Sequence, residues 1–403
     1  MVPTTSAGPR LRPGWTLALT SLAFFMVTLD ALVVITALPA IHRDLGATLS
    51  TLQWTVNAYT LAFAAGITTA AAMGDRFGRR RIFVIGLALF SAASAACALS
   101  PSAEALIGAR AVQGLAAAVV MPLSLTILTA AFPPERRGAI VGIWGGIAGL
   151  AVASGPLIGG AITQVLSWHW VFWVNVPIGV LAATLSVAWL VESVGAPTRL
   201  DLVAVALVSG GATGIVLGLV RAGDQGWYQP QTIVTLVLGI VLMAGFVGWE
   251  GRAQEPILPM QLFRGLTFSA ANATGFFMSG SQFAAAFLIA QYFQLGLGHS
   301  PFDTGLRLLP WTATPLLIAP AAGALSDRIG RRPLMIAGMI LQGAGFAWFG
   351  ALTGSGVAYW ASILPLVIAG VGVSMVLPVT PAAVLSAVHP QHMGKASAVN
   401  STM

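Results

Sequence analysis

"AAMGDRFGRRR", residues 71–81, and "GALSDRIGRRP", residues 323–333, are two copies of one short pattern. Asp75, Arg76, Gly78, Arg79 and Arg80 recur as Asp327, Arg328, Gly330, Arg331 and Arg332. Each copy is a charged, glycine-permitted turn between apolar runs. A second correspondence extends the first: "GLAAAVVMP" at 114–122 answers "GVGVSMVLP" at 370–378. "PPERRGAIVG" at 133–142 then answers "HPQHMGKASA" at 389–398, through Pro134/Pro390 and Gly138/Gly394. The chain therefore contains two related halves in the same orientation.

The runs around these turns set the environment. Hydrophobic residues make up 57% of the 403 residues and charged residues 8%, against roughly 25% charged in a soluble domain. Apolar stretches of a length that spans a hydrocarbon core recur at about 15–40, 52–73, 82–100, 105–127, 139–165, 171–191, 202–220, 231–249, 267–294, 304–325, 333–353 and 357–380. This is an all-α polytopic membrane protein with twelve complete spans. The first stretch is too long for a removable signal peptide. The single cysteine, Cys97, excludes an intrachain disulfide, and no Cys/His cluster has metal-ligand spacing.

With the amino terminus in the cytoplasm, Arg10, Arg12, Arg76, Arg79, Arg80, Arg81, Arg136, Arg137, Arg199, Arg252, Arg264, Arg328, Arg331, Arg332 and Lys395 fall inside. Only Arg43, Arg221 and Arg307 fall outside. This positive-inside bias predicts a cytoplasmic amino terminus in a multi-pass protein of the cytoplasmic membrane. It also accounts for the net charge of +7, and cations divided among short loops form no nucleic-acid groove.

The two copies stand eight spans apart, so six-helix halves require two inserted helices, most simply spans 7 and 8. That divides the chain into a six-helix bundle at 1–195, a two-helix insert at 196–264 and an incomplete carboxyl-terminal bundle at 265–403. Gly138 opens span 5, so Gly394 opens a span 13, and most of that span and all of a span 14 are expected to be missing.

Two charges sit inside apolar spans. Asp30 lies in "FFMVTLDALVVITALP", residues 24–39, and Arg110 in "ALIGARAVQGLAAAVVMP", residues 105–122. Intramembrane ionisable residues are costly and face a partner or a functional path, so each is the partner expected for the other. The protonation of such a carboxylate can be switched by whether the cation or a substrate is close.

"GDRFGRRR" and "GALSDRIGRR" resemble the cytoplasmic loop signature of the major facilitator superfamily. "LDALVVITALP", "RAVQGLAAAVVMP" and "ASGPLIGG" resemble the first-, fourth- and fifth-helix signatures of its fourteen-helix drug/proton antiporter branch of bacterial multidrug efflux transporters. "WHWVFWVNVPIG", residues 168–179, is similar to the segment leading into helix 6 there. The resemblance implies the major facilitator fold, two six-helix pseudo-repeats with two inserted helices. It also implies a proton that enters from outside and drives a hydrophobic or cationic drug or small molecule outward. Proton coupling then falls to Asp30 and Arg110.

The repeated loops, Asp75 to Arg80 and Asp327 to Arg332, read as latches for the outward-facing state that lock neighbouring helix ends and are not part of the substrate site. Gly142/Gly146, Gly145/Gly149 and Gly155/Gly159 make close-approach pairs in span 5, and Pro156 bends it. With Gly160 these complete the fifth-helix motif, which in the family accompanies exporters. Asn57, Tyr59, Gln113, Asn272, Phe276, Gln282 and Trp311 are the polar or aromatic span residues expected to line a substrate cavity. The implied partners are a small-molecule substrate, protons and the lipid bilayer, with no nucleic acid, metal or cofactor, for a monomer. An ATP pump is excluded by the one lysine, Lys395, which Ala396 follows. No hydrolase or metalloprotease motif points to an enzyme. The alternatives are a facilitator or importer on the same fold and an inactive truncated paralogue.

Overall fold

A backbone in hydrocarbon must satisfy its own polar groups, so the long apolar runs fold as helices. The computed structural model describes residues 13–194, 201–253, 256, 260–353 and 358–388. Arg10, Arg12, Arg199, Pro390, Gly394 and Lys395 lie outside them, as do the side chains of Ala71, Arg137 and Asp327, while Gly142, Gly145 and Gly146 are described only as part of a helix.

The amino-terminal bundle comprises α1 (Pro13–Leu45), α2 (Leu49–Phe77), α3 (Arg79–Ala98), α4 (Ala103–Ala130), α5 (Pro134–Val165), the short α6 (His169–Trp173) and α7 (Asn175–Trp189). A hairpin of α8 (Leu202–Gln225) and α9 (Pro230–Glu250) follows. The carboxyl-terminal group holds α10 (Leu266–Gln291), α11 (Pro301–Thr312), α12 (Thr314–Ile329), α13 (Arg331–Leu352), α14 (Trp360–Val376) and α15 (Val379–Ser386). Among the described residues, ten segments are long and apolar enough to cross a membrane. The second and fifth expected spans are the 29-residue α2 and the 32-residue α5, helices that are not among those ten.

Three spans expected to be continuous are broken. The sixth breaks at Val174, the tenth at Ala313 and the twelfth at Leu377–Pro378. In each the new helix carries a proline within its first three residues, Pro177, Pro315 and Pro381. A proline has no N–H to give the carbonyl four residues back, so the hydrogen-bond ladder is interrupted while Val174, Ala313 and Pro378 keep helical dihedrals.

Packing repeats between the halves as the sequence does. A Cβ added at Gly114 would stand 2.2 Å from the carbonyl oxygen of Tyr59, and one at Gly370 would stand 2.7 Å from that of Trp311. Gly86 faces Val119 and Val120, and Gly338 faces Met375 and Val376. Thus α4 crosses α2 and α3 as α14 crosses the α11–α12 span and α13. Gly78 and Gly330 end α2 and α12 with φ of 103° and 88°, a left-handed turn that glycine adopts without a Cβ clash.

The α8–α9 hairpin is held by close backbone approach at Gly214 and Gly239, and α8 lies beside α2. Asp201 caps α8, accepting from the Ala204 N–H at 2.9 Å and from Trp249 Nε1 of α9 at 2.7 Å. Those bonds, the backbone one first, hold its carboxyl below the usual range.

The loops divide into two ends. The near end carries Gly78, Gly330 and the start of α1; the far end carries Gly46, Leu166 and Ser300. The halves join at the far end. Gly160 of α5 meets the Pro301 carbonyl, Gly305 of α11 meets the Pro156 carbonyl, and Gly155 and Gly159 seat α5 on Leu32, Val33 and Thr36 of α1. Gln294 Nε2 donates to the Thr36 carbonyl at 3.0 Å, and the Phe302 N–H donates to Gln164 Oε1 at 3.2 Å. Gly155, Pro156, Gly159 and Gly160 therefore lie where α5 is clamped between α1 and α11, whereas Gly149, expected to make a close-approach pair with Gly145, has open space around it.

Candidate functional site

The helices of the amino-terminal bundle converge on one polar cluster in an otherwise apolar interior. Asp30 Oδ2 of α1 accepts from Arg110 Nη1 of α4 at 2.6 Å. Asp30 Oδ1 accepts from Gln113 Nε2 at 3.0 Å and from Asn175 Nδ2 at 2.7 Å. Arg110 also donates to Gln113 Oε1 at 2.8 Å and to the Thr55 carbonyl of α2 at 3.3 Å. Its guanidinium stands 4.1 Å from the Tyr59 ring centroid, a cation–π contact that does not require water. Ser94 of α3 accepts from Asn175 Nδ2 at 3.1 Å and donates to the Phe172 carbonyl at 2.9 Å. Asp30 and Arg110 are each 1% exposed.

The sequence dictates this convergence locally. Arg110 and Gln113 are three residues apart and so share one face of α4. Gly114, the next residue, lets Tyr59 of α2 approach closely enough for its ring to cover the guanidinium. Asn175 enters because the span breaks at Val174, which places the first residue of α7 at the depth of Asp30. Three donors reach its two oxygens, so both are hydrogen-bonded, which a buried charge requires. Moving Asp30 or Arg110 leaves a charge unpaired, and moving Gln113 or Asn175 removes a donor from the carboxylate, so the cluster ties together α1, α2, α3, α4 and α7.

The carboxyl-terminal half does not repeat this cluster among its described residues. The offset that aligns Gly114 with Gly370 puts Leu366 opposite Arg110 and Ala369 opposite Gln113. The offset that aligns Asp75 with Asp327 puts Trp311 opposite Tyr59. All three belong to an apolar core with Phe293 and Phe349.

Of the residues expected to line a substrate cavity, Tyr59 and Gln113 are built into the polar cluster. Trp311 is buried against Phe346, with ring centroids 5.3 Å apart. Asn272 is buried and donates to the Phe268 carbonyl at 2.9 Å. Phe276 is 55% exposed on the outer surface of α10 beside Phe277, and Asn57 and Gln282 are half-buried. None of the seven lines either of two cavities in the fold, one at the far end of the carboxyl-terminal group and one at the near end of the amino-terminal bundle. A groove of about 460 Å³ lies instead between the near ends of α1 and α5, lined by Leu17, Ser21, Leu22, Phe25, Ile143 and Ile147.

The first repeated loop is a lock within one bundle. Asp75 and Arg79 pair at 2.7 Å. The carboxylate of Glu192, just past α7, accepts from the Arg80 N–H at 2.9 Å and the Arg81 N–H at 3.1 Å. It thereby caps α3, where the helix dipole favours an anion. Gly78 permits the approach, since a Cβ there would stand 2.8 Å from the Glu192 carboxyl carbon. In the second copy Arg331 donates to the Ser386 hydroxyl, while Arg328 and Arg332 are exposed. Glu192→Ala should cost about 1 kcal/mol, the usual worth of a lost helix cap. Thermal unfolding in detergent and faster amide exchange at Arg80 and Arg81 would register it, and unchanged exchange there would contradict the cap.

Sequence reasoning missed Asn175, Ser94, Thr55 and Glu192. Glu192 had a usable signal, as the acid nearest the end of the sixth span. Asn175 and Ser94 are small polar residues whose roles depend on helix rotation, and Thr55 contributes its backbone carbonyl.

The Major Facilitator Superfamily model matches residues 20–403. The chain belongs to the Major Facilitator Superfamily. This superfamily chain is 36% identical over 374 residues to the tetracenomycin C resistance and export protein of Streptomyces glaucescens, covering 91% of this chain and 70% of that one. It is 36% identical over 391 residues to the multidrug resistance protein Stp of Mycobacterium tuberculosis, covering 96% and 72%. Among solved structures, a POT family transporter in complex with 5-aminolevulinic acid superposes with a TM-score of 0.73 at 17% identity, covering 99% of this chain and 88% of that one. That likeness shows the fold. The chain is a multi-pass membrane transporter of the drug-resistance and export branch, and not an enzyme.

Proposed function

We propose that the protein is a proton-coupled exporter of hydrophobic or cationic drugs or small molecules, with its near end in the cytoplasm. One observation carries the coupling: a buried Asp30–Arg110 pair whose carboxylate sits on α1, the helix that also forms the far-end seam. Asp30 and the seam residues Val33 and Thr36 are three and six residues apart on α1, or about 5 and 9 Å at 1.5 Å per residue. A proton arriving on Asp30 takes the place of Arg110 at Oδ2 and frees the guanidinium. α1 then loses its tie to α4 and α7, and its hold on α5 and the carboxyl-terminal group is free to change.

The joined far end represents the state closed to the outside. The groove at the near end suits loading, since about 460 Å³ falls within the roughly 300–1,000 Å³ of drug-sized sites and its lining is apolar. The division at 1–195, 196–264 and 265–403 fits an amino-terminal half that carries the coupling and a carboxyl-terminal half whose equivalent positions are apolar. The names of the relatives, resistance and export proteins, support the outward direction.

The test uses everted membrane vesicles containing the protein. Ethidium should accumulate when the lumen is acid, and its addition should draw protons out of the lumen. Collapsing the pH gradient should abolish uptake. Uptake that survives the collapse, or that moves no protons, refutes proton coupling.

A further inference from the structure

At the far end of the carboxyl-terminal group lies a cavity that the export mechanism above does not use. It measures about 210 Å³ and is lined by Tyr292, Phe293, His299, Arg307, Phe349 and Tyr359, among others. Four elements build it: the end of α10, α11, the end of α13 and the start of α14. α10 closes with a π turn at Tyr292–Gly296, in which the Leu297 N–H donates to the Tyr292 carbonyl. Such turns break the regular ladder and recur at functional sites.

Arg307 is the one fixed cation among these lining residues. Among the described residues no carboxylate lies within ion-pair distance of it, Asp303 one turn earlier included. Its Nε is buried without a hydrogen-bond partner. Yet it is held in place: its guanidinium lies 4.5 Å from the Tyr359 ring centroid, and the Tyr359 hydroxyl donates to the Arg307 carbonyl at 3.1 Å. An oriented guanidinium with an unused buried donor, set among aromatic rings, is arranged to receive an anion.

We propose that this cavity binds an organic anion, with the carboxylate or phosphate group on Arg307 and an apolar body against Phe293, Phe349 and Tyr292. The volume is below the usual drug-sized range, so the cavity takes a small aryl acid or the head of a larger molecule. A soluble carboxylate and the phosphate of an anionic lipid offer the same chemistry. The inference does not depend on proton coupling.

The test is equilibrium binding of radiolabelled benzoate to the purified full chain in phosphatidylcholine nanodiscs. Saturable binding is expected, weakened about tenfold or more by Arg307→Gln, less by Arg307→Lys, and not by Arg221→Gln, another far-end arginine outside the cavity. Ser362→Phe fills the cavity without touching the cation and should also block binding, which keeps the test decisive if Arg307→Gln misfolds. In phosphatidylglycerol nanodiscs, displacement of benzoate and retention of lipid phosphate that Arg307→Gln loses would identify a lipid headgroup as the occupant. Undiminished benzoate binding there would identify a soluble anion. Equal binding of neutral benzamide, equal binding by Arg307→Gln, equal loss in Arg221→Gln, or no saturable binding overturns the proposal.

Discussion

Asp30→Asn and Arg110→Gln should each destabilise the protein by about 3–5 kcal/mol and abolish gradient-driven efflux, whereas the double variant should regain most of the stability and none of the efflux. Each single change strands a charge in an interior that excludes water, and an uncompensated buried charge costs that much. In Asp30→Asn the new amide would still accept a hydrogen bond from Gln113 or Asn175, but Arg110, 1% exposed, would keep its charge with only the Thr55 carbonyl, Gln113 and the Tyr59 face around it. In the double variant no charge remains, and two amides can bond each other and the same neighbours, so the penalty falls away. Efflux needs the exchange of a proton for a guanidinium at one carboxylate oxygen, and no amide offers that. Unfolding in detergent and vesicle uptake measured on the three variants form a double-mutant cycle. If efflux recovered in step with stability, the pair would be a structural tie and the coupling reading would be wrong.

The sequence exposes that pair because charge in an apolar span is rare, so Asp30 and Arg110 each narrow the choice of partner to the other. It exposes the fold through the repeated Asp-Arg-x-Gly-Arg-Arg turn, whose two glycines do take the same left-handed conformation. It does not expose Asn175 or Ser94. Their entry depends on where the sixth span breaks and how α3 is rotated, and both follow from packing. The aromatic residues mislead for a related reason. Trp311 and Phe276 look alike in an apolar run, but one is buried in the core and the other faces outward, since hydrocarbon outside the bundle is as apolar as its interior. Arg307 reads from sequence as one of three far-end cations; only the fold shows that it faces a cavity rather than an acid.

Gly160→Val should abolish transport by holding the far end apart. The Cβ of any side chain at 160 would stand 2.2 Å from the Pro301 carbonyl oxygen. A Cβ is fixed by the backbone that carries it and the carbonyl is backbone too, so no rotamer relieves the contact. Overpacking of this kind costs about 1–3 kcal/mol, and the cost falls only on the state in which α5 and α11 touch. A difference of that size shifts a two-state equilibrium by roughly five- to 150-fold, enough to trap the protein on one side of its cycle. Gly305→Val, which meets the Pro156 carbonyl at 2.5 Å from the opposite helix, should give the same result. Gly149→Ala, on the same α5 with open space around it, should leave efflux unchanged. Cys97 is the only cysteine, so in a Cys97→Ala background a cysteine at Gln294, 8% exposed, reports on the seam. Gly160→Val should speed its labelling by a membrane-impermeant maleimide added from outside. Slower or unchanged labelling, with transport lost, would mean that the valine damages the fold and not the balance between states. Faster labelling would place the α5–α11 contact in the moving part of the cycle, joined through α1 to the carboxylate six residues from Thr36.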